Sequence, residues 1–221
     1  TQRSTLFPYT TLFRSEALLL GKGDIPAAEA VYRKMLEGRP ESVAGRSSLA
    51  ELLLRQGKLD EARAEVQALK KTAPRHPETL FLEAQIAFND KDYKRTRELT
   101  DQILKAMPES LRVLELAGQT ELRLKNYLQA EALLGKALKM APGNGVTRHA
   151  LAQSFLRSGQ PEKTLEVLQP ALESGKPSAS ALSLLGEAYL QLGDARRSEE
   201  AFARAVKTSP QDTRVRTSAA L

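Results

Sequence analysis

The chain has 221 residues, of which 41% are apolar and 27% charged, and it carries a formal net charge of +6 and no cysteine. No stretch approaches the ~18–20 consecutive apolar residues that a membrane-spanning helix needs, and the lack of cysteine excludes disulfides and thiolate metal sites while leaving the redox compartment undecided. The positive charge is mild and spread along the sequence. It therefore favours solubility and a weak preference for anionic partners, and it does not indicate a nucleic-acid-binding surface.

The first fifteen residues differ from the rest of the chain. Residues 5–15 read TLFPYTTLFRS, a segment rich in phenylalanine and threonine in which Pro8 interrupts the helical pattern. This whole segment matches the in-frame translation of a common short-read sequencing adapter. A targeting or membrane-contact peptide is the alternative, but the segment lacks the continuous apolar region and cleavage site of a signal peptide. We therefore interpret residues 1–15 as a poorly structured, non-native leader.

Prolines recur at a nearly constant interval along the remaining sequence. The steps between them are 34, 34, 34, 35 and 33 residues. One proline is therefore displaced by one residue, and the next one returns to the 34-residue register. The prolines are Pro40, Pro74, Pro108, Pro142, Pro177 and Pro210. A fixed period of this length indicates stacked structural units rather than one globular core, and the apolar spacing within each period is that of a helix.

Six repeats align without a gap. They span residues 9–42, 43–76, 77–110, 111–144, 145–178 and 179–212. Repeat positions are numbered from the first residue of each. Residues 213–221 begin a further helix in the same phase and stop midway. We expect 16–221 to form one repeat array and interpret the chain as an internal fragment of a longer repeat protein, because no polar capping repeat is visible.

Position 15 follows an apolar-periodic run and carries glycine in four repeats, at Gly23, Gly57, Gly159 and Gly193. A glycine there predicts the end of the first helix, because the turn needs a residue that adopts positive φ at little cost. Repeats three and four carry Lys91 and Lys125 instead. In those two repeats we expect the turn to be made by the residues that follow, Asp92–Tyr93 and Asn126–Tyr127, and to be less favourable.

Position 20 carries only small residues. They are Ala28, Ala62, Thr96, Ala130, Thr164 and Ser198. This composition predicts that the second helix of each repeat crosses close against the first.

The last complete repeat shows the pattern most clearly: residues 181–212 read ALSLLGEAYLQLGDARRSEEAFARAVKTSPQD. Its characteristic residues are Leu182, Leu185, Gly186, Tyr189, Gly193, Ser198, Phe202, Ala205 and Pro210. These offsets match the tetratricopeptide repeat (TPR) pattern, so residues 16–221 resemble that family. The resemblance implies an all-α fold, an α-solenoid of stacked antiparallel helix pairs (the TPR superhelix) with about six units of 34 residues.

The TPR resemblance also implies a concave groove lined by positions 2, 5, 9, 12 and 13 of each repeat. The candidate groove residues are Arg55, Phe81, Gln85, Gln119, Arg123, His149, Gln153 and Arg157. Rows of amide and guanidinium groups suit an extended ligand with repeating acceptors, such as a peptide, acidic side chains or an anionic glycan. The alternative is an ordinary solvated helix face. The carboxylate clamp of chaperone-binding TPR modules is absent, since Glu51 and Phe81 are among the residues in its slots.

The sequence contains no pattern of catalytic or metal-ligating residues. The two histidines, His76 and His149, are isolated from any metal-ligand spacing. We expect His76 to be a loop residue and His149 to be a polar residue of the groove. No glycine-rich phosphate loop follows a strand pattern. We therefore predict a protein that is not an enzyme and needs no cofactor or metal.

The sequence from Leu111 onwards, notably the tail at 212–221, resembles the TPR-repeat lipoproteins of the bacterial PEP-CTERM (exosortase) system. That resemblance implies an exported protein on the periplasmic face of the cell envelope, associated with exopolysaccharide production and protein sorting. Its membrane association would come only from a lipid anchor outside this chain. Other interpretations are a TPR subunit of another envelope polysaccharide or secretion complex, and a regulatory module of a fused enzyme. RNA-reading helical repeats are disfavoured, because they have a 35-residue period and a strongly basic groove.

Overall fold

The computed structural model describes residues 25–173 and 175–211. Those residues form eleven α-helices and no β-strand, which confirms the predicted all-α fold of helix pairs. The helices are α1 (Ile25–Gly38), α2 (Val43–Arg55), α3 (Leu59–Thr72), α4 (Pro77–Asn89), α5 (Tyr93–Ala106), α6 (Leu111–Arg123), α7 (Tyr127–Met140), α8 (Gly145–Arg157), α9 (Pro161–Glu173), α10 (Ala179–Gln191) and α11 (Ala195–Thr208). The leader at 1–15, the turn at Gly23 and the tail at 213–221 lie outside the described residues.

The first helices of five successive repeats, α2, α4, α6, α8 and α10, begin 34 residues apart. Polar side chains before several of them accept hydrogen bonds from the free N–H groups of the first turn, which defines where the helix starts. Before α8, Asn144 Oδ1 accepts from Val146 N at 3.0 Å. His76, expected to be a loop residue, has this capping role for α4, since its Nδ1 accepts from Glu78 N at 3.3 Å.

Consecutive helices pack as antiparallel pairs, because only a short turn separates the two helices of a repeat. Each first helix that has such contacts also packs on the first helix of the next repeat, in the pairs α2–α4, α6–α8 and α8–α10. The described residues fall into two compact units that divide between Leu99 and Thr100, within α5. The first unit contains α1–α4 and the second contains α6–α11.

Each described turn inside a repeat has one residue with positive φ, at position 15. The glycines there have φ of 74°, 74° and 76° in Gly57, Gly159 and Gly193. Lys91 and Lys125 adopt the same conformation, both with φ of 63°, so the expectation that the following residues would make these turns is wrong. The reason is the hydrogen bond that closes the helix end. Asp92 N donates to Ala87 O at 2.9 Å, a geometry that requires the preceding residue to be left-handed.

The two helices of a repeat cross closest at positions 8 and 20. The position-20 residues are 0–3% exposed, which confirms the predicted close crossing. Ser198 Oγ donates to Gly186 O at 2.9 Å and thereby joins α11 to α10. A Cβ on Gly186 would lie 2.7 Å from the ring of Phe202, and one on Gly118 would lie 2.5 Å from Leu134 Cγ. The backbones approach so closely that only glycine fits beneath these large side chains.

A recurring contact joins the second helix of one repeat to the turn of the next. At position 21 of repeat one, the Glu29 carboxylate accepts hydrogen bonds from Gln56 Nε2 and Lys58 Nζ, both at 2.9 Å. Hydrogen bonds from Lys58, Arg33 and Gln56 lower the pKa of Glu29 to about 2. The carboxylate is therefore ionised over the whole neutral range and fixes the register between α1 and the α2–α3 turn.

Position 21 contacts the turn of the next repeat through different chemistry at two other repeat junctions. Arg63 forms an ion pair with Asp90 in the first unit. In the second unit, Glu131 Oε1 accepts from Ser158 Oγ at 2.6 Å and from Gln160 Nε2 at 2.9 Å. Because these three junctions each have a different complementary pair, the repeats that form them are not interchangeable even though their backbones are alike.

Replacing Lys91 by glycine should raise the free energy of unfolding by about 1 kcal/mol, since a left-handed backbone costs a residue with a Cβ roughly 1–2 kcal/mol. Urea denaturation followed by circular dichroism measures the change. Lys34→Gly is the control: Lys34 is exposed in the middle of α1, where glycine should cost about 1 kcal/mol instead. A loss of stability in both variants would contradict the assignment.

Replacing Gly118 by alanine should destabilise the protein by about 1–3 kcal/mol through overpacking, because Leu134 is 0% exposed and has no room to move aside. Gly135→Ala, on α7 of the same helix pair, is the matched control. A Cβ at Gly135 meets nothing within 4 Å, so this variant should be neutral or gain about 0.5–1 kcal/mol from helix propensity. Equal stability of the two variants would show that the helices do not touch at position 8.

Candidate binding surface

In the first compact unit, α2 and α4 pack together and carry three of the predicted groove residues. Arg55, at the end of α2, is exposed and makes no ion pair with the described residues. Gln85 on α4 is partly buried, and its Oε1 lacks a hydrogen-bond partner among those residues. Phe81, one turn earlier, is only 6% exposed. This unit therefore exposes Arg55 to a ligand, whereas Phe81 and the Oε1 atom of Gln85 are buried.

In the second compact unit, α8 lies between α6 and α10, so equal repeat positions form rows across the three helices. Position 9 is occupied by Gln119, Gln153 and Glu187, and position 13 by Arg123, Arg157 and Gln191. We call these six residues the polar rows. The position-9 side chains are partly buried and the position-13 side chains are exposed. The surface offers amide groups and the Glu187 carboxylate in the partly buried row, and guanidinium and amide groups in the exposed row.

Contacts across the polar rows join α8 to α10. Arg157 Nη2 lies 3.8 Å from Glu187 Oε2, and Gln191 Nε2 donates to Leu156 O at 3.4 Å. An exposed ion pair at this distance is weak, so a ligand carboxylate could displace Glu187. Arg123 on α6 is exposed and makes no ion pair with the described residues.

Position 5 has two different roles in α6 and α8. Glu115 Oε1 accepts from Asn144 Nδ2 at 2.5 Å and from Thr147 Oγ1 at 2.7 Å, so this carboxylate secures the start of α8. His149 is partly buried, and its Nδ1 has no hydrogen-bond partner among the described residues. Burial lowers the pKa of His149 below its ordinary value of 6.5, so the ring is neutral at pH 7.

His149 lines a pocket of about 520 Å³ near the start of α8. Val146 and Lys176 line the same pocket, and neither was among the residues singled out from the sequence. The signal that could have indicated them is the displaced proline, Pro177, which also lines the pocket. The displaced proline in the repeat period therefore lies at the same place as this pocket.

The described ranges 25–173 and 175–211 contain no group of three His, Asp or Glu side chains arranged to hold a metal ion. Within the same ranges, no helix is long and apolar enough to cross a membrane.

Profiles of known families match most of the chain. A tetratricopeptide repeat profile matches residues 19–86 and a second one matches 149–213. A profile of the anaphase-promoting complex (cyclosome) subunit 3 matches residues 66–137. The chain belongs to the tetratricopeptide repeat family.

One curated relative is cellulose synthase operon protein C of Pseudomonas fluorescens (strain SBW25), which is 30% identical over 107 residues. The match covers 46% of this TPR chain and 8% of that protein. The chain thus corresponds to a small part of the relative's length.

Several solved structures share the fold. PilW, a widely conserved type IV pilus biogenesis factor, superposes with a TM-score of 0.80 at 16% identity, covering 94% of this chain and 96% of that one. PilF of Pseudomonas aeruginosa has a TM-score of 0.76 at 17% identity, with 94% and 95% covered. YrrB, a TPR protein with an unusual peptide-binding site, has a TM-score of 0.66 at 16% identity, with 86% and 98% covered. At these identities the likeness establishes the TPR fold alone.

The burial of His149 predicts a pH dependence of stability. In the unfolded chain the ring binds a proton more readily than in the folded chain, so stability is full above the unfolded pKa and falls as the pH drops through about 6.5. Urea denaturation at pH 7.5 and 5.5 should show a larger loss for the wild type than for His149→Gln. An NMR titration midpoint for the His149 ring that is at or above that of the urea-unfolded chain would contradict the burial.

Proposed function

We propose that this chain is a non-catalytic scaffold that holds an extended peptide or protein segment against its polar rows. The observation that carries the proposal is the alignment of Gln119 with Gln153, and of Arg123 with Arg157, on neighbouring first helices. TPR domains bind peptides and proteins, and the related fold of YrrB has a peptide-binding site.

The chemistry of the polar rows favours an extended acidic segment. Glutamine side chains both donate and accept hydrogen bonds, so Gln119 and Gln153 can pair with the N–H and C=O groups of an extended backbone. Arginine adds a planar guanidinium that recognises carboxylates through two parallel hydrogen bonds. An anionic glycan presents carboxylates too, but it lacks the backbone amides that the glutamines would satisfy.

We place this scaffold in bacterial cell-envelope machinery for exopolysaccharide production and protein sorting. The proposal is supported by the relative from a cellulose synthase operon and by the resemblance of the sequence after Leu111 to PEP-CTERM-system lipoproteins. It implies a location on the periplasmic face of the envelope and a lipid anchor outside residues 1–221. Recovery of the complete gene tests this directly: an upstream reading frame without a secretion signal and a lipid-attachment cysteine would refute the envelope assignment. A fused catalytic domain would instead favour a regulatory module of an enzyme.

Replacing Arg123 by alanine should weaken binding of a fluorescein-labelled peptide of alternating glutamate and serine by roughly twofold to fivefold, which is the contribution of an exposed ion pair. Fluorescence anisotropy at low and high salt measures the dissociation constants. Arg204→Ala is the matched control, because Arg204 is equally exposed but lies on the second helix, α11.

The variants should melt at similar temperatures, since neither guanidinium is buried. Equal affinity of Arg123→Ala and Arg204→Ala for the glutamate peptide would refute the role of the polar rows. Tighter binding of oligogalacturonate than of the glutamate peptide, with the same dependence on Arg123, would identify a glycan as the ligand instead.

A further inference from the structure

The junction between α9 and α10 differs from the other repeat junctions. Among the described residues, this is the one junction between repeats that contains a residue with positive φ. Gly175 adopts φ of 75°, and Pro177 stands directly before the capping residue Ser178. At the preceding junction, Pro142 lies two residues before the capping residue Asn144. The backbone of this junction consequently follows a different course from that of the α7–α8 junction.

A pocket of about 520 Å³ lies beside this junction. Its lining includes the apolar side chains of Leu168 and Ala171 from α9 and of Ala181 from α10. On the α8 side, Val146 lines the pocket and is 69% exposed. An exposed apolar side chain beside an apolar recess is a common feature of ligand-binding surfaces.

The charged side chains that line the pocket are cationic. They are Arg148 and Lys176, and no carboxylate is among the lining residues. Arg148 is held in place because its Nη1 donates to Val167 O at 3.1 Å and its Nη2 donates to Pro142 O. His149 is neutral at pH 7 because burial lowers its pKa. The pocket therefore combines an apolar lining with positive charge, which is complementary to an apolar group with carboxylates close to it.

The pocket is continuous with the polar rows along one face of α8. Val146, His149, Gln153 and Arg157 follow one another at spacings of three or four residues, so they lie on the same side of the helix. A peptide that contacts Gln153 and Arg157 would extend along this face towards the pocket. The pocket is thus positioned to receive one side chain of the same ligand.

We infer that the pocket beside the α9–α10 junction binds one apolar side chain of an acidic peptide segment, with carboxylates on either side of that side chain facing Arg148 and Lys176. This inference rests on the proposed peptide-binding function and specifies which residue types the peptide needs. The apolar side chain provides most of the affinity, because burying a leucine-sized group contributes more than an exposed ion pair. The carboxylates set the orientation and exclude basic segments.

The probes for this site are three peptides blocked at both ends: acetyl-Asp-Leu-Asp-amide, acetyl-Asp-Gly-Asp-amide and acetyl-Asn-Leu-Asn-amide. The whole chain, labelled with ¹⁵N, is titrated with each, and backbone amide shifts near Val146, His149 and Ser180 are followed. We expect the Asp-Leu-Asp peptide to saturate these shifts in the millimolar range. The glycine peptide should bind at least about tenfold more weakly, and the asparagine peptide roughly twofold to fivefold more weakly.

Two pairs of variants identify the residues. Val146→Ser should weaken binding of the Asp-Leu-Asp peptide, whereas Leu128→Ser should not, because Leu128 is 75% exposed on α7 and does not line the pocket. Lys176→Gln should weaken it and should reduce its salt dependence, whereas Lys207→Gln on α11 should do neither. All four changes are at exposed positions, so the fold should be retained.

Absence of saturable shifts at these amides with any of the three peptides would overturn the inference. Equal binding of the leucine and glycine peptides would overturn the apolar subsite. Tighter binding of octanoate than of the Asp-Leu-Asp peptide would assign the pocket to a fatty acyl chain and would also overturn it. These outcomes are separate from the test of the polar rows, because loss of glutamate-peptide binding in Arg123→Ala does not depend on this pocket.

Discussion

The close crossing of the two helices in each repeat is the constraint on which the rest of this structure depends. In two repeats, the large side chains of Leu134 and Phe202 at position 24 fit only because the residues opposite them at position 8 are Gly118 and Gly186. In these two repeats the contact fixes the rotation of the first helix about its own axis, because a rotation would bring a Cβ into the partner helix. In the second unit, the position-9 side chains are partly buried and the position-13 side chains are exposed, and stacking of α6, α8 and α10 brings them into rows.

Rigid placement matters for a surface that binds through many weak contacts. An exposed ion pair such as one with Arg123 contributes at most about 1 kcal/mol, so affinity has to be the sum of several such contacts with little loss of side-chain freedom. The junction contacts serve this purpose, since Glu29, Arg63 and Glu131 each fix one register between neighbouring repeats through a different pairing. The pocket beside α10 would add one deeper contact to an otherwise shallow, polar surface.

Several local features were predictable from the sequence, and others were not. The helix pairs and the buried small residues at position 20 follow from spacing and size alone. The left-handed conformation of Lys91 was missed, because the residue type disfavours it and only the hydrogen bonds that close the helix override that preference. The capping role of His76 was missed for a similar reason, since imidazole is an uncommon cap and its use depends on the ring orientation.

The sequence by itself determined the period of 34 residues, the helical class and the positions that carry polar residues on the first helices. These features depend on local hydrogen bonding and on the size of side chains at fixed spacing, and the order of residues determines both. Only the tertiary structure decided what those polar residues do. Glu115 secures the start of α8, and Arg157 approaches Glu187 while Arg123 remains accessible. Such differences arise where side chains from separate helices meet, and that meeting depends on packing geometry rather than on any single segment.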